Sequence, residues 1–188
     1  MKIKLTDDII SRVEDFAITR IKGSENLYRY RGESNRDKMI EDVLIGTLGE
    51  WASYLYLQRC GILAPEPDMK IYEKRRKSFT ADLQSDQGLF HVKSQGEKSA
   101  KRYGLSWLLQ KTDKVIKEPS ENEFFIFTQV SVPEVEILGI VSAKDLIDNE
   151  LLDEPKVWKY RHTKRALYWE NIDNSDIEKW RFKYEVES

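Results

Sequence analysis

The sequence predicts an α/β or α+β domain built around a mixed sheet. Three observations carry this. A long run from Asn35 to Gly61 repeats its apolar residues at helical spacing. From about Lys70 the period shortens into runs bounded by glycine and polar residues, as in a strand meander. Two further runs, FFIFTQVSV (Phe124 to Val132) and VEILGIV (Val135 to Val141), are the most strand-like in the chain and are joined tightly through Pro133 and Glu134. Helical and strand periods alternating along one chain are the pattern of helices packed on a sheet.

Each element follows in order. Thr6, Asp7 and Asp8 form an N-cap with acids in the first turn, and Ile9, Ile10, Val13, Phe16, Ala17 and Ile21 continue at helical spacing. A polar loop is expected from Lys22 to Asn35. The next helix runs through Met39, Val43, Leu44, Leu48, Trp51, Ala52 and Leu55 and stops at Gly61, a residue suited to a left-handed C-terminal cap. Short strands are expected at Phe79 to Leu83 and at Leu89 to Ser94, turning at Gly88. Helical spacing returns from Tyr103 to Lys117, in Leu105, Leu108, Leu109 and Val115. The two strong strands come next, then a short helix, Ser142 to Leu152. The Trp- and Tyr-rich remainder has no clear period.

Composition narrows the function. The chain has 188 residues, with 31 Lys plus Arg against 33 Asp plus Glu. That balance excludes a wholesale basic polymer-binder, so any nucleic-acid contact must come from local patches. One cysteine and two histidines exclude an intrachain disulfide and zinc sites of the finger or deaminase kind. No stretch approaches the ~20 apolar residues of a membrane span. The start, MKIKLTDDII, places acids where a signal peptide has its apolar run. The expectation is one cytoplasmic domain, residues 1–188, with no membrane partner.

Three features could carry chemistry. Glu50 lies inside the apolar long helix beside Gly46 and Gly49. Asp82 interrupts the apolar Phe79-to-Leu83 run. After a turn through Asp86 and Gly88, His91 and Lys93 share one face of the next strand by period-two alternation, with Val92 on the other. Antiparallel pairing across that turn would bring Asp82 to the same face. Acids and a lysine gathered in this way suit metal-assisted phosphodiester hydrolysis. Carboxylates hold hard, oxygen-seeking Mg²⁺, which polarises phosphate and acidifies a bound water, while a lysine orients that water or stabilises developing charge. Each residue alone also has an ordinary explanation: a helix-boundary acid, a turn aspartate, a lysine extending from a strand.

In this order, on these elements, the residues resemble the PD-(D/E)XK, or restriction-endonuclease-like, nuclease superfamily. Gly46-Thr-Leu-Gly49-Glu50-Trp-Ala52 is similar to its G-x-x-G-E-x-A helix, and His91-Val-Lys93-Ser-Gln95 to its VKSQ-like third strand. The resemblance covers about residues 35–142. It implies a restriction-endonuclease-like core, a mixed central sheet flanked by helices, with an N-terminal helix and a C-terminal aromatic and basic extension outside it. It further implies a Mg²⁺- or Mn²⁺-dependent endonuclease acting on DNA. Glu50, Asp82 and His91 would be metal ligands and Lys93 the fourth catalytic residue. A homodimer is also implied, since cutting both strands of a duplex takes two active sites. The chain departs from the family at His91, where an acid is usual. Three readings stay open there: an unusual ligand, a base, or a site that lost catalysis and left a nucleic-acid-binding protein with a nuclease fold.

Two basic segments could hold nucleic acid. Lys98, Lys101 and Arg102 follow the His91–Lys93 strand directly. Between Lys156 and Trp169 there are five basic residues and no acid. Lys159, Arg161, Lys164 and Arg165 are interleaved there with Trp158, Tyr160, Tyr168 and Trp169. Cations among aromatics suit a phosphate-tracking, base-stacking surface, although a hairpin covering the core would have the same composition. Gln95 is a candidate phosphate contact. Gln110, expected on the helix after the catalytic strand, is a candidate for the same surface. The run Lys74 to Lys77 reads as a solvated loop.

Overall fold

The computed structural model of the chain describes residues 1–30, 35–71 and 81–183, with backbone alone for 23–30. The Lys74-to-Lys77 run and the start of the Phe79-to-Leu83 strand lie outside the described residues.

A strand that sequence periodicity had no length to reveal, β1 (Lys2–Lys4), opens the chain with Ile3 fully buried. Helix α1 (Asp7–Tyr30) follows, with Asp7 and Asp8 in its first turn. The loop expected from Lys22 does not form there. The helix backbone continues through Gly23 to Tyr30, because one interior glycine costs only ~1 kcal/mol relative to alanine. Helix α2 (Arg36–Arg59) is capped by Asn35, whose Oδ1 accepts from the Lys38 amide at 3.1 Å. At its other end Gly61 adopts φ 75°, the Gly61 amide donates to Gln58 and the Ile62 amide donates to Leu57 at 2.9 Å. Those paired bonds close the helix in a Schellman motif.

The remaining elements are β2 (Leu83–Ser85), β3 (Gly88–Gly96), α3 (Glu97–Tyr103), β4 (Ser106–Gln110), α4 (Lys114–Lys117), β5 (Glu123–Ser131), β6 (Glu134–Ser142), α5 (Ala143–Asp148), β7 (Leu152–Asp153), a single 3₁₀ turn at Trp158–Tyr160, β8 (Lys164–Tyr168) and α6 (Trp169–Asp173). Five strands form a sheet in the order β1-β6-β5-β3-β2, and three form a second sheet in the order β4-β8-β7. The large sheet is mixed: β3 and β5 run parallel, and its other pairs are antiparallel. The protein is thus of the mixed α/β class. No helix among the described residues is long and apolar enough to cross a membrane.

One expected helix is a strand. Ser106 to Gln110 pairs antiparallel with β8, and within that stretch only Tyr103, the end of α3, and Lys114–Lys117 are helical. Its burial alternates, with Trp107 and Leu109 inside and Leu108 exposed. The leucine spacing fits both periods, and pairing with the distant strand β8 decided between them.

The large sheet separates two cores. Leu48, Trp51 and Tyr56 of α2 pack on one face with Phe90, Val92, Phe124 and Ile126. The opposite face buries Phe125, Phe127 and Val141 against Trp107, Leu146 and Leu167. Alternation along β3 and β5 therefore feeds two different cores, and this decides where each candidate residue stands.

Candidate nucleic-acid interface

β3 presents Phe90, Val92 and Ser94 to α2, and His91, Lys93 and Gln95 to the other face. The imidazole of His91 lies 5.6 Å from the Phe125 ring, and Lys93 Nζ 5.8 Å from the same ring. Asp82 stands just before β2, opposite His91 if the register Leu83↔Phe90 is continued. Its Oδ2 accepts from the Val92 amide at 2.9 Å, so the carboxylate extends the β2–β3 ladder by one bond. Two acids that sequence reading did not single out join this group. Glu123 Oε1 lies 3.7 Å from His91 Nε2, and the charge of Asp113, the N-cap of α4, also acts on the imidazole. Glu123 opens its strand after a polar loop. Its approach to His91 depends on parallel pairing across a crossover, which no local pattern announces.

Glu50 does not reach this group. It stays on the α2 side of the sheet, bordering a shallow cleft of about 180 Å³ with Arg20, Asp42, Val43, Gly46 and Thr47. Of the four residues that the family resemblance would unite, the fold gathers Asp82, His91 and Lys93 and leaves Glu50 across the sheet.

Burial holds His91 below the usual imidazole range, and the neighbouring Lys93 charge lowers it further. Asp82, Glu123 and Asp113 act in the opposite direction without restoring it. The ring is therefore neutral at pH 7. Its 3.7 Å approach to Glu123 would be an ion pair only with a charged imidazole, and it is too long for a hydrogen bond. Buried Nε2 has no hydrogen-bond partner among the described residues.

Of the residues expected to hold Mg²⁺ or Mn²⁺, Asp82 has one oxygen that accepts from a backbone amide, and His91 offers nitrogen where Mg²⁺ favours oxygen. Among the described residues no group of three or more His, Cys, Asp or Glu side chains is arranged to hold a metal ion.

The basic segments converge elsewhere along the same strand. Beyond Gln95, where β3 ends, a groove of about 740 Å³ runs between the start of α2, α3 and the 155–160 segment. Five cations line it, Lys38, Lys98, Arg102, Lys156 and Lys159, against three acids, Glu41, Asp42 and Glu97. Lys98 pairs with Glu41 at 3.1 Å and Lys38 with Asp42 at 2.8 Å. By contrast, Arg102, Lys156 and Lys159 lie over the rings of Tyr103, Tyr168 and Tyr160. Sequence reading placed Lys156 in its basic run without naming it as a contact. It passed over Lys38, which in sequence is an ordinary first-turn lysine.

The other expected contacts are partly engaged within the chain. Gln95 is buried, with Nε2 donating to the Gly104 carbonyl at 3.0 Å and to Ser99 Oγ at 3.4 Å, while Oε1 accepts from the Ser106 amide at 3.1 Å. Both amide hydrogens are used, and the side chain clasps the turn from α3 into β4. Lys101 pairs with Glu97 at 2.6 Å. Arg161 donates to the Pro155 carbonyl at 3.0 Å, and Arg165 donates to the Leu152 carbonyl. Lys164 lies 4.9 Å from the Tyr160 ring centroid. Gln110, expected on a helix, ends strand β4 opposite Lys164 and is exposed.

The fold and site define an α/β protein with a cationic, tyrosine-lined groove at the end of a strand whose half-buried His91 and Lys93 stand beside Asp82. No protein-family model, curated protein or solved structure matches this chain.

Proposed function

We propose that the protein binds nucleic acid along the groove and keeps a nuclease-like arrangement of strands without a built metal centre. The observation that supports this best is the joining of two separated basic segments, around Lys98 and Lys159, on one surface with three tyrosines. Cations stacked on aromatic rings stay positioned and still offer charge to phosphate. The test is binding of labelled DNA followed across a salt series. Affinity should fall linearly in log–log form with salt, and a chain that binds no polynucleotide at low salt overturns the reading.

Phosphodiester hydrolysis is the second reading, as a DNA endonuclease, favoured by the gathering of Asp82, His91 and Lys93 on one face beside Glu123. Cleavage of plasmid and single-stranded DNA in Mg²⁺, Mn²⁺ or EDTA separates the two. Cutting that needs a divalent ion and is lost in Lys93→Ala supports an enzyme. Binding without cutting under every condition supports the first reading.

A further inference from the structure

We infer that the groove takes an unpaired polynucleotide strand rather than a duplex, with Trp158 as a platform on which a base stacks; this rests on the reading that the groove binds nucleic acid. Its floor is apolar, formed by Leu44 and Ile45 of α2, Leu108 of β4 and Val130 of β5, with Val132 beside them. Among the described residues seven large hydrophobic side chains are exposed; two of them, Leu108 and Val132, line the groove, and a third, Trp158, stands beside it on the 155–160 segment. Trp158 stands between the lining residues Val157 and Lys159 and is 69% exposed. An indole is ordinarily among the best-buried side chains. This one rests against His162 in a T-shaped contact at 5.5 Å, which steadies the ring while most of it faces water.

The two kinds of nucleic acid would use such a groove differently. A duplex keeps its base faces stacked inside and offers phosphates and groove edges. Against it, the apolar floor and the indole would stay in water. An unpaired strand offers backbone anions to Arg102, Lys156 and Lys159 and bare base faces to the floor and to Trp158. Cationic rim, apolar floor and exposed indole together match that second chemistry.

The experiment is fluorescence anisotropy of the whole chain with labelled oligo(dT), oligo(U) and a DNA duplex of the same length. Stacking contributes ~1–3 kcal/mol per base, equivalent to about 5–150-fold in affinity. At least one single strand should therefore bind about tenfold or more tightly than the duplex. Trp158→Ala should weaken single-strand binding by about 5-fold or more and leave the duplex nearly unchanged. Trp158→Phe should retain most of it, with both variants melting like wild type. Preference for oligo(dT) or for oligo(U) says which sugar is read, and either supports the inference. Equal affinity for duplex and single strand, or a Trp158→Ala protein that binds as wild type does, overturns it and leaves nucleic-acid binding standing. Failure of every oligonucleotide to bind overturns both.

Discussion

A Cβ built on Gly49 would stand 1.9 Å from Ser94 Oγ and 2.8 Å from Thr128 Oγ1. The backbone of α2 thus lies directly on β3 and β5, over a spot where Thr128 Oγ1 and Ser94 Oγ are 2.9 Å apart in a hydrogen bond. Gly46, one turn earlier, meets nothing within 4 Å. Only Gly49 of the pair is explained by close packing on the sheet. Gly49→Ala should destabilise by the ~1–3 kcal/mol typical of overpacking, at about 2–4 °C in Tm per kcal/mol for a chain of this size. Adding Ser94→Gly should recover part of the loss. A Gly49→Ala protein that melts with wild type would show that helix and strand do not touch here.

His91 gives the stability a pH dependence with a definite sign. Its folded imidazole titrates below the ordinary 6.5 because of burial and Lys93. Below that pH the unfolded chain binds a proton that the folded chain resists. This part of the stability is fully present above pH ~6.5 and is lost as pH falls through the folded value. His91→Leu should flatten the curve of unfolding free energy against pH in that window, read from urea melts between about pH 5 and pH 7.5. Identical slopes in the two proteins would place the imidazole in water.

Gln95 holds the turn that brings α3 and β4 to the groove. Gln95→Ala removes the acceptor of the Ser106 amide and one of the two side-chain donors to the Gly104 carbonyl, which also accepts from Ser106 Oγ. Gly104 is exposed and Ser106 half-buried, so a cost of about 0.5–1.5 kcal/mol is expected for each bond lost. Gln95→Glu keeps the acceptor for Ser106 but loses the donors to Gly104 and Ser99, and should therefore also destabilise. Amide exchange at Ser106 should quicken in Gln95→Ala and stay slow in Gln95→Glu.

Groove charge is testable without reference to which strand is preferred. Replacing Arg102, Lys156 and Lys159 together by glutamine should reduce the log–log salt slope by ~0.7 for each phosphate no longer neutralised on a single strand, or ~0.9 on a duplex. Arg161→Gln and Arg165→Gln should matter less to that slope, since both guanidinium groups already bond carbonyls of their own chain. An unchanged slope in the triple variant would remove the groove from the binding surface.

Much of the architecture was legible in the residues themselves. Asn35 and Gly61 mark the ends of α2 because capping and the left-handed φ are local demands. FFIFTQVSV and VEILGIV announce β5 and β6 because a strand between two cores is apolar on both faces. The pairing of His91 with Lys93 follows from alternation alone. Strand β4 was not legible, because the spacing of Leu105, Leu108 and Leu109 satisfies both periods and β8 lies too far along the chain to be weighed locally.

What remained for the tertiary structure was which face met which partner. The sequence determined that Glu50 lies on a helix packed against the strand of His91 and Lys93. It could not state the side, since α2 contacts β3 through Gly49 and Ser94 while His91 and Lys93 point toward Phe125. One residue of register reverses that choice. In the same way the basic residues were visible as two segments far apart in the chain, and only the antiparallel pairing of β4 with β8 drew Lys98 and Lys159 to one groove. Local propensity and alternation are written residue by residue. Convergence of distant side chains depends on the relative placement of whole elements, which burial of both sheet faces decides collectively.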